Sequence, residues 1–356
     1  MDLAWKENWA ETQRHFNQWW KHEGLVVGTW GPPTNHKPHA AIDLPPDAGA
    51  PDRFYRDAGY HADREHYRLA NAYFGGDTLP LAETDIGPGS LALYLGAEAG
   101  IARDTVWFHP WMESIEQPVA FDAANPWWQT TEATLSACVQ RAAGRYLVGC
   151  PDLVENLDIL AAGRGPETVM VDLVENPQAV LERLEEINQA WYEVYSRVHQ
   201  IIHLPDGSSA FGAFRLWGPG KTAKVQCDAA AMISPRMFRR FVQPFLAEQC
   251  AWLDQSMYHL DGRQCLCHLD ALLEIEGLDA IEWTPDPSVP TGGDPAWYDL
   301  YRRILKDGKS VQAVGVNPGE VKALLDAVGP KGMYLLVSVD SQAEFESLWA
   351  VAESFR

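Results

Sequence analysis

The stretch Tyr258-His259-Leu260-Asp261-Gly262 places an imidazole and a carboxylate two positions apart, at the end of an apolar segment and just before a turn. Since side chains alternate between the two faces of a strand, His259 and Asp261 are predicted to point the same way. Apolar residues then recur at helical spacing over Gln264 to Glu274, and a short buried run covers Leu278 to Trp283. The stretch therefore predicts a strand, a helix and a second strand in succession.

The same alternation continues to the C-terminus. Further helices are predicted at Trp297 to Leu305, Pro318 to Val328 and Gln342 to Phe355, and further strands at Ser310 to Val316 and Met333 to Val339. Pro318 stands at a first helical position, where its missing N–H costs nothing. The C-terminal half is thus predicted to be a run of β/α units.

The N-terminal half is less regular, but it offers four more candidate strands, at Leu25 to Trp30, Thr78 to Ile86, Tyr146 to Pro151 and Ser208 to Trp217. Long amphipathic helices are predicted at Pro177 to Ile202 and Pro235 to Leu253, each starting with proline. The predicted strands total eight, the number in a (β/α)8 barrel.

The fold class predicted from this pattern is α/β, a TIM barrel forming a single domain over residues 1–356. A barrel needs ~250 residues, which leaves ~100 for additions. We assign these to an N-terminal helical extension at 1–24 and an insertion at 105–131 that is rich in tryptophan and proline. An open doubly wound sheet is the alternative, but no G-x-G-x-x-G follows a predicted strand, so no nucleotide cofactor is expected.

Charge and composition limit the partners. The formal net charge of −21 disfavours nucleic acid and anionic membranes, because Lys and Arg dominate binding to both. The N-terminus lacks the pattern of a signal peptide, and no apolar run reaches the ~20 residues that span a bilayer. Dispersed cysteines are typical of reduced thiols. We predict a cytoplasmic protein acting on a small molecule, and a homodimer is left open.

Candidate site residues are those that follow the predicted strands, because TIM-barrel active sites form at the C-terminal strand ends. In chain order they are Trp30, Asp85, Asp152, Arg215, Trp217, His259, Asp261, Glu282, Trp283, Asn317 and Asp340. The set is acidic and aromatic, with Arg215 as its clear cation. Asp152 and Asn317 are equally suited to capping the helices that follow them.

His259 and Asp261 are predicted to act as an acid/base pair or as metal ligands, the alternative being a capped strand end. Together with Glu282 and Asp340 they form an N/O donor set, which suits Zn, Mn, Fe or Mg without thiolates. The tryptophans Trp30, Trp217 and Trp283 could form a cage for a methylated ammonium group. Packing at the barrel mouth is the alternative for these indoles.

The segments above resemble the uroporphyrinogen decarboxylase superfamily, which includes corrinoid-linked methyltransferases. The resemblance is carried by Tyr258 to Gly262 and by five further segments in matching order. These are Gly87-Pro88-Gly89 through Leu95-Gly96, Pro151-Asp152-Leu153 with Gly163-Arg164-Gly165, Asp228 with Ile233 to Phe238, His268 to Leu273, and Gly277 to Trp283. It spans residue 75 to the end and implies a (β/α)8 barrel with its pocket at the C-terminal strand ends.

The chain departs from both well-understood branches of that superfamily. The zinc methyltransferases resemble it at His259, but they have cysteines where this chain has Asp261 and, after the eighth strand, Asp340. The decarboxylases have arginines in the first loop, where this chain reads Gly28-Thr29-Trp30-Gly31-Pro32-Pro33. Asp85 is the residue that the resemblance matches to the decarboxylases' aspartate.

Three functions remain open. A methyltransferase-like enzyme would take a small methylated donor in an acidic, aromatic pocket and pass the methyl group to a corrinoid protein or a thiol. A decarboxylase would use Asp85 on a carboxylated tetrapyrrole held by Arg215. A catalytically lapsed barrel would only bind a ligand. An acidic pocket would repel a substrate rich in carboxylates, so methyl transfer is favoured.

Overall fold

Short strands, most of them buried, alternate with helices in the computed structural model, which describes residues 2–35, 37–47, 49–102 and 105–356. The strands are β1 Leu25–Thr29, β2 Leu81–Ala82, β3 Glu98–Ala102, β4 Thr105–His109, β5 Leu147–Cys150, β6 Ser209–Phe211, β7 Leu216–Gly218, β8 Thr222–Gln226, β9 Gln255–Asp261, β10 Ala280–Thr284, β11 Ser310–Val316 and β12 Met333–Val337.

The helices in the N-terminal half are α1 Trp9–Trp20, α2 Pro51–Arg56, α3 Ala58–Ala70, α4 Ser90–Tyr94, α5 Pro126–Ala142, α6 Asn156–Arg164 and α7 Pro166–Glu175. Those that follow are α8 Pro177–Ile202, α9 Pro235–Phe241, α10 Gln243–Trp252, α11 Gly262–Cys265, α12 Leu269–Leu273, α13 Tyr298–Lys306, α14 Val321–Val328 and α15 Gln342–Glu353. Short 3₁₀ turns cover Ala213–Arg215, Asp228–Met232, Leu266–His268, Pro295–Trp297 and Pro318–Glu320.

The strands form a mixed α/β architecture built on parallel sheets. One sheet has the order β1-β12-β11-β10-β9-β8, and all its neighbours are parallel. In the other, β2, β5 and β6 are parallel and β7 is antiparallel to β6. The ladders end at β1 and β8 in the first sheet and at β2 and β7 in the second. Within the described residues the strand ladders therefore do not close the predicted ring by themselves.

Proline and glycine positions explain several helix boundaries. The predicted helix at Pro177 to Ile202 is confirmed, with proline in its first turn. The predicted helix at Pro235 to Leu253 is instead two helices, because Pro244, in the first turn of α10, has no N–H to continue α9 and the chain bends at Val242. Gly329 follows α14 with φ of +94°, a conformation in which a Cβ would be strained.

The prediction of one strand over Ser208 to Trp217 is wrong. This segment forms β6, then a tight turn, and then β7, which runs back antiparallel to β6. The reversal occurs because Phe214 and Arg215 adopt left-handed backbone conformations, with φ of +58° and +53°. A further strand, β8, follows, and the sequence reading omitted it. It pairs in parallel with β9 and so borders the predicted site.

The N-terminal segment contains the predicted helix, α1, which packs against the starts of the strands. The Trp19 indole Nε1 donates to the carbonyls of Val311 and Gly332, at 3.2 and 3.1 Å. The Trp20 indole donates to Trp217 O at 3.0 Å. Helix α1 therefore covers the N-terminal end of the sheet, opposite the predicted site.

The region predicted as an insertion over residues 105–131 includes the second strand of an antiparallel hairpin, β3 and β4, and the first turns of α5. Residues 103 and 104, which connect the two strands, lie outside the described residues. Among the described residues, no helix combines the length and apolar character that crossing a bilayer requires.

Candidate functional site

His259 and Glu282 form the centre of the site. They are direct neighbours in the register of β9 and β10, so their side chains extend from the same face of the sheet. The His259 Nδ1 atom is hydrogen-bonded to Glu282 Oε2, while the Thr284 hydroxyl donates to Glu282 Oε1 at 2.6 Å. Burial acts to lower the pKa of His259, but the charge and hydrogen bond of the Glu282 carboxylate raise that pKa above its ordinary value. The pair therefore fixes the orientation of the His259 ring.

Asp228, His259 and Asp261 place potential ligand atoms within 4.8 Å of one another. Ligand atoms on a tetrahedral zinc ion at ~2.1 Å lie ~3.4 Å apart, so the group would contract by ~1 Å to hold a metal. Because Glu282 takes Nδ1 of His259, Nε2 is the ring nitrogen left for an ion. A carboxylate behind a metal-binding histidine is a common arrangement that fixes its tautomer. The donor set of one imidazole and two carboxylates fits a divalent ion of hard or borderline character.

Local backbone features present the two carboxylates. Asp261 ends β9, and Gly262 then turns the chain with φ of +71°; a Cβ at Gly262 would lie 2.7 Å from an Asp286 carboxylate oxygen. Asp228 opens the 3₁₀ turn after β8, and the buried Asp158 carboxylate accepts the Asp228 N–H at 2.8 Å. Burial and the charge of Asp158 raise the pKa of Asp228 to about 6.

A buried lysine lies beside this group. Lys224 extends from β8, is fully buried, and pairs with Asp152 at an Nζ to Oδ1 distance of 2.6 Å. Its ammonium group also donates to the Gln226 side chain, and Glu155 accepts the Gln226 N–H. Burial acts to lower the pKa of Lys224, but the charges of Asp152 and Glu155 raise it, so the residue is a cation held among acids.

Asp85 is connected to the same network. Its carboxylate accepts a hydrogen bond from the Asp152 N–H. Burial, supported by the charge of Asp152, raises the pKa of Asp85 to about 7. Asp85 therefore changes protonation near neutral pH, whereas an ordinary aspartate is ionised throughout that range.

The turn between β6 and β7 covers His259. The Phe214 ring lies 4.5 Å from the His259 ring, and Trp30 packs edge-on against Phe214 at 5.5 Å. Two hydrogen bonds hold the strained turn: Gln312 Nε2 donates to Phe214 O at 2.8 Å, and Tyr334 Oη donates to Arg215 O at 2.9 Å. The turn thereby shields one face of the imidazole from water.

A cavity of about 350 Å³ adjoins the acidic group. Asp228 and Gln226 form part of its wall, and the remaining lining is mostly apolar. Larger cavities occur elsewhere, such as one of about 600 Å³ beside Trp5 and Trp349, but they do not border the residues described above. The cavity beside Asp228 is therefore the candidate for a bound substrate.

No protein-family model matches the chain, and no curated protein matches it. Among solved structures, the chain is similar to a methyltransferase from Methanosarcina mazei, with a TM-score of 0.62 and 11% sequence identity. The match covers 97% of this chain and 98% of the other chain. The two proteins therefore share a fold over nearly their whole lengths.

Two of the predicted tryptophans lie away from the site. Trp217, on β7, packs edge-on against Trp9 and Phe16 at the end of the sheet covered by α1. Trp283 is fully buried and packs against Trp297 at 4.8 Å, on the face of β10 opposite Glu282. Trp30, whose side chain is 42% exposed, is the member that reaches the His259 region. The predicted three-tryptophan cage is thus not formed.

Arg215 lies in the turn between β6 and β7 and not after a fourth parallel strand, so that prediction is wrong. Its guanidinium pairs with Glu83 at 2.5 Å, and its Nε donates to Trp30 O at 3.1 Å. Asn317 is exposed and forms a capping box with Glu320 at the start of the following helix. Of the two roles predicted for Asn317, helix capping and ligand binding, the structure therefore shows the capping role.

Asp340 does not belong to the Asp228, His259 and Asp261 group. It follows β12, and β11 and β10 separate β12 from β9, which corresponds to ~14 Å along a sheet. Asp228 follows β8, the immediate neighbour of β9. The third member of the group is therefore Asp228 and not the predicted Asp340. In the sequence, Asp228 was part of the family resemblance but was not a candidate ligand.

The sequence reading also missed Lys224, Gln226, Thr284 and Phe214. A signal was present for β8, because Thr222, Lys224 and Gln226 alternate with Ala223 and Val225 at the period of a strand. The polar face of such a strand ordinarily faces water. Here it faces buried acids instead, which only the neighbouring strands could reveal.

Proposed function

We propose that this chain is a metal-dependent methyltransferase, related to the corrinoid-linked branch of the uroporphyrinogen decarboxylase superfamily, that acts on a small methylated substrate. The observation that carries the proposal is the convergence of Asp228, His259 and Asp261 at the ends of β8 and β9. The fold shared with a methyltransferase from Methanosarcina mazei supports it.

The proposal includes a closed (β/α)8-type barrel in which the two parallel sheets are arcs of one ring. Hydrogen bonds between β1 and the segment before β2 support the closure. Val27 N donates to Asp77 Oδ2 at 3.0 Å, Asp77 N donates to Val27 O at 3.0 Å, and Thr29 N donates to Thr78 Oγ1 at 3.2 Å. Side chains at the C-terminal strand ends of such a ring share one pocket.

Asp228, His259 and Asp261 would hold a divalent ion. A bound ion of this kind would lower the pKa of a thiol or water placed beside it, so that a nucleophile exists at neutral pH. Glu282 orients the His259 ring from behind, and Phe214 covers one ring face. The protein's contribution is thus a preoriented imidazole, shielded on one face, beside two exposed carboxylates.

The reaction itself balances without an oxidant or a reductant. An acceptor thiol loses its proton, its sulfur forms a bond to the methyl carbon, and the leaving group departs with the electron pair of the broken bond. The released proton can pass to water, because Asp228 and Asp261 lie at the exposed edge of the group.

Decarboxylation of a carboxylated tetrapyrrole is less well supported. The cavity of about 350 Å³ is near the lower limit of ~300–1,000 Å³ for ligand sites. Asp158 and Asp228 line it and would repel substrate carboxylates, while Arg215 is already paired with Glu83. Size and charge therefore both favour a small substrate that is not an anion.

Metal content provides the first test. The protein is purified without added metal, and its ions are measured by mass spectrometry, together with those of a His259→Ala variant. We expect about one divalent ion per wild-type chain and at least a tenfold loss in the variant. An ion-free wild type that takes up none on incubation with Zn²⁺, Mn²⁺, Fe²⁺ or Mg²⁺ would contradict the proposed metal.

Methyl transfer provides the second test, with trimethylamine or tetramethylammonium as donor and 2-mercaptoethanol as acceptor. We expect loss of the methylated donor and formation of the methyl thioether, both dependent on His259 and both measured by NMR. If the metal is bound but neither donor is consumed, a barrel that only binds ligands becomes the better description. A corrinoid partner protein, a homodimer, single-domain boundaries and a cytoplasmic location stay predictions.

A further inference from the structure

The cavity beside Asp228 lies between helix α6, the 3₁₀ turn at Asp228–Met232 and the β3–β4 hairpin. Most of its lining is apolar, and small side chains on α6 and the turn create its space. The lining consists of Pro88, Gly89, Phe108, Val154, Asp158, Ile159, Ala161, Ala162, Gln226, Asp228, Ala229 and Met232.

The polar part of the lining is confined to Asp158, Gln226 and Asp228. These residues are hydrogen-bonded together, since Gln226 Nε2 donates to Asp228 Oδ2 at 2.8 Å. Asp228 also belongs to the group with His259 and Asp261. The cavity therefore ends, at its polar side, on the proposed reaction site.

The charge around this polar end is negative. Among the described lining residues there is no Lys or Arg, and the nearby Lys224 is already paired with Asp152. The carboxyl groups of Asp158 and Asp228 line the cavity and those of Asp152, Asp261 and Glu282 lie nearby, so acidic side chains outnumber the basic side chains Lys224 and His259. An apolar chamber beside an excess of negative charge favours a cation with an apolar surface.

We propose that this cavity binds a small alkylammonium cation, with its methylated ammonium head toward Asp228 and its aliphatic part against Val154, Ile159 and Ala162. The substrate class inferred here rests on the proposed function, because the methyl carbon of the cation would then lie beside the group that holds the ion and its acceptor thiol. The proposed cation site is thus a cavity with carboxylates at one end and Phe108 as its aromatic wall, and not the predicted tryptophan cage.

Binding of choline and of its uncharged carbon isostere, 3,3-dimethylbutan-1-ol, tests the charge requirement. The two molecules have nearly the same shape, so calorimetric titration of each into the full-length protein isolates the effect of the positive charge. We expect choline to bind at least tenfold more tightly. Equal affinities, or no binding of choline, would overturn the proposal.

A charge placed at the cavity mouth locates the site. Met232 lines the cavity and is 53% exposed, so Met232→Arg adds a cation there without filling the core. We expect choline affinity to fall at least tenfold in this variant, with little change for the uncharged isostere. Val174→Arg, at a 71% exposed position on α7 that does not line the cavity, is the matched control.

Filling the cavity tests its volume. Ala162→Leu places a larger side chain on the cavity wall and should weaken both ligands, while Ala133→Leu, at an exposed position on α5, should weaken neither. Thermal unfolding checks that each variant is folded. If Met232→Arg and a folded Ala162→Leu both bind choline like the wild type, the ligand lies elsewhere.

The outcomes separate this proposal from the proposed function. Selective choline binding without any methyl transfer would leave the cation site standing and contradict the enzyme. Methyl transfer without a preference for choline over its isostere would leave the enzyme standing and contradict the cation site.

Discussion

Glu282 Oε2 is hydrogen-bonded to Nδ1 of His259 across two neighbouring parallel strands. The carboxylate is fully buried, and the His259 side chain is 10% exposed. The second carboxylate oxygen accepts from Thr284, so both oxygens of Glu282 have partners within the protein. The histidine is thereby fixed in tautomer and direction before any ligand arrives.

Replacing Glu282 by Gln should lower the pKa of His259. The carboxylate is what raises that pKa against the effect of burial, so burial dominates in the variant. Titration of the histidine ring protons by NMR, in protein stripped of metal by a chelator, measures the shift, and Glu353→Gln is the surface control. An unchanged His259 titration in the Glu282→Gln variant would mean that the ion pair does not govern the imidazole.

The ligand set found in the structure contains Asp228, whereas the set predicted from the sequence contains Asp340. We expect Asp228→Ala to weaken binding of Zn²⁺ at least tenfold, because it removes one of the converging oxygens. Asp340→Ala should leave the affinity unchanged, since Asp340 follows β12 and lies outside the group. Competition with a chromophoric chelator gives both affinities, and the reverse order would restore the sequence-based ligand set.

Lys224→Met should destabilise the fold by ~3–5 kcal/mol, because it leaves buried carboxylates without their cation. Lys322→Met removes a surface ion pair with Asp326, in which the lysine side chain is 69% exposed. This variant should lose less than ~1 kcal/mol of unfolding free energy. Urea unfolding measures both changes. Similar small costs for the two variants would show that the Asp152 pair is dispensable.

The unfolding free energy of the Asp85→Asn variant should increase, relative to that of the wild type, as the pH rises from 4 to 7. The folded pKa of Asp85, about 7, lies above the ordinary value of 3.8. A raised carboxyl pKa gives stability that is fully present below 3.8 and is lost as the pH rises through the folded pKa. Asparagine cannot ionise, so it avoids this loss. Parallel unfolding curves of the two proteins at pH 4 and pH 8 make the comparison, and a constant difference would contradict the shift.

Much of the order of elements could be predicted from local pattern. The strand at Ser310 to Val316 and the helix at Pro177 to Ile202 are found at their predicted bounds. In both, residues close in sequence define the periodicity and the ends. The prediction for Ser208 to Trp217 was wrong, because the strand is interrupted at Phe214 and Arg215. Both have left-handed backbone conformations, which residues of these types rarely adopt.

The candidate site was only partly predictable. His259 and Asp261 belong to one strand, so their common direction follows from a period of two. Lys224 could not be assigned, because a lysine in a strand is ordinarily solvated and its burial depends on Asp152 and Glu155 from another β/α unit.

The sequence by itself determined that strands and helices alternate and that an imidazole and a carboxylate share one strand end, because both properties depend on spacing along the chain. Only the tertiary structure decided that Asp228 joins them and that Glu282 lies behind the imidazole. Both depend on strand order, which places β8 and β10 on either side of β9. Hydrogen bonds and metal ligation act over a few ångströms, so strand adjacency, and not distance in sequence, selects the partners.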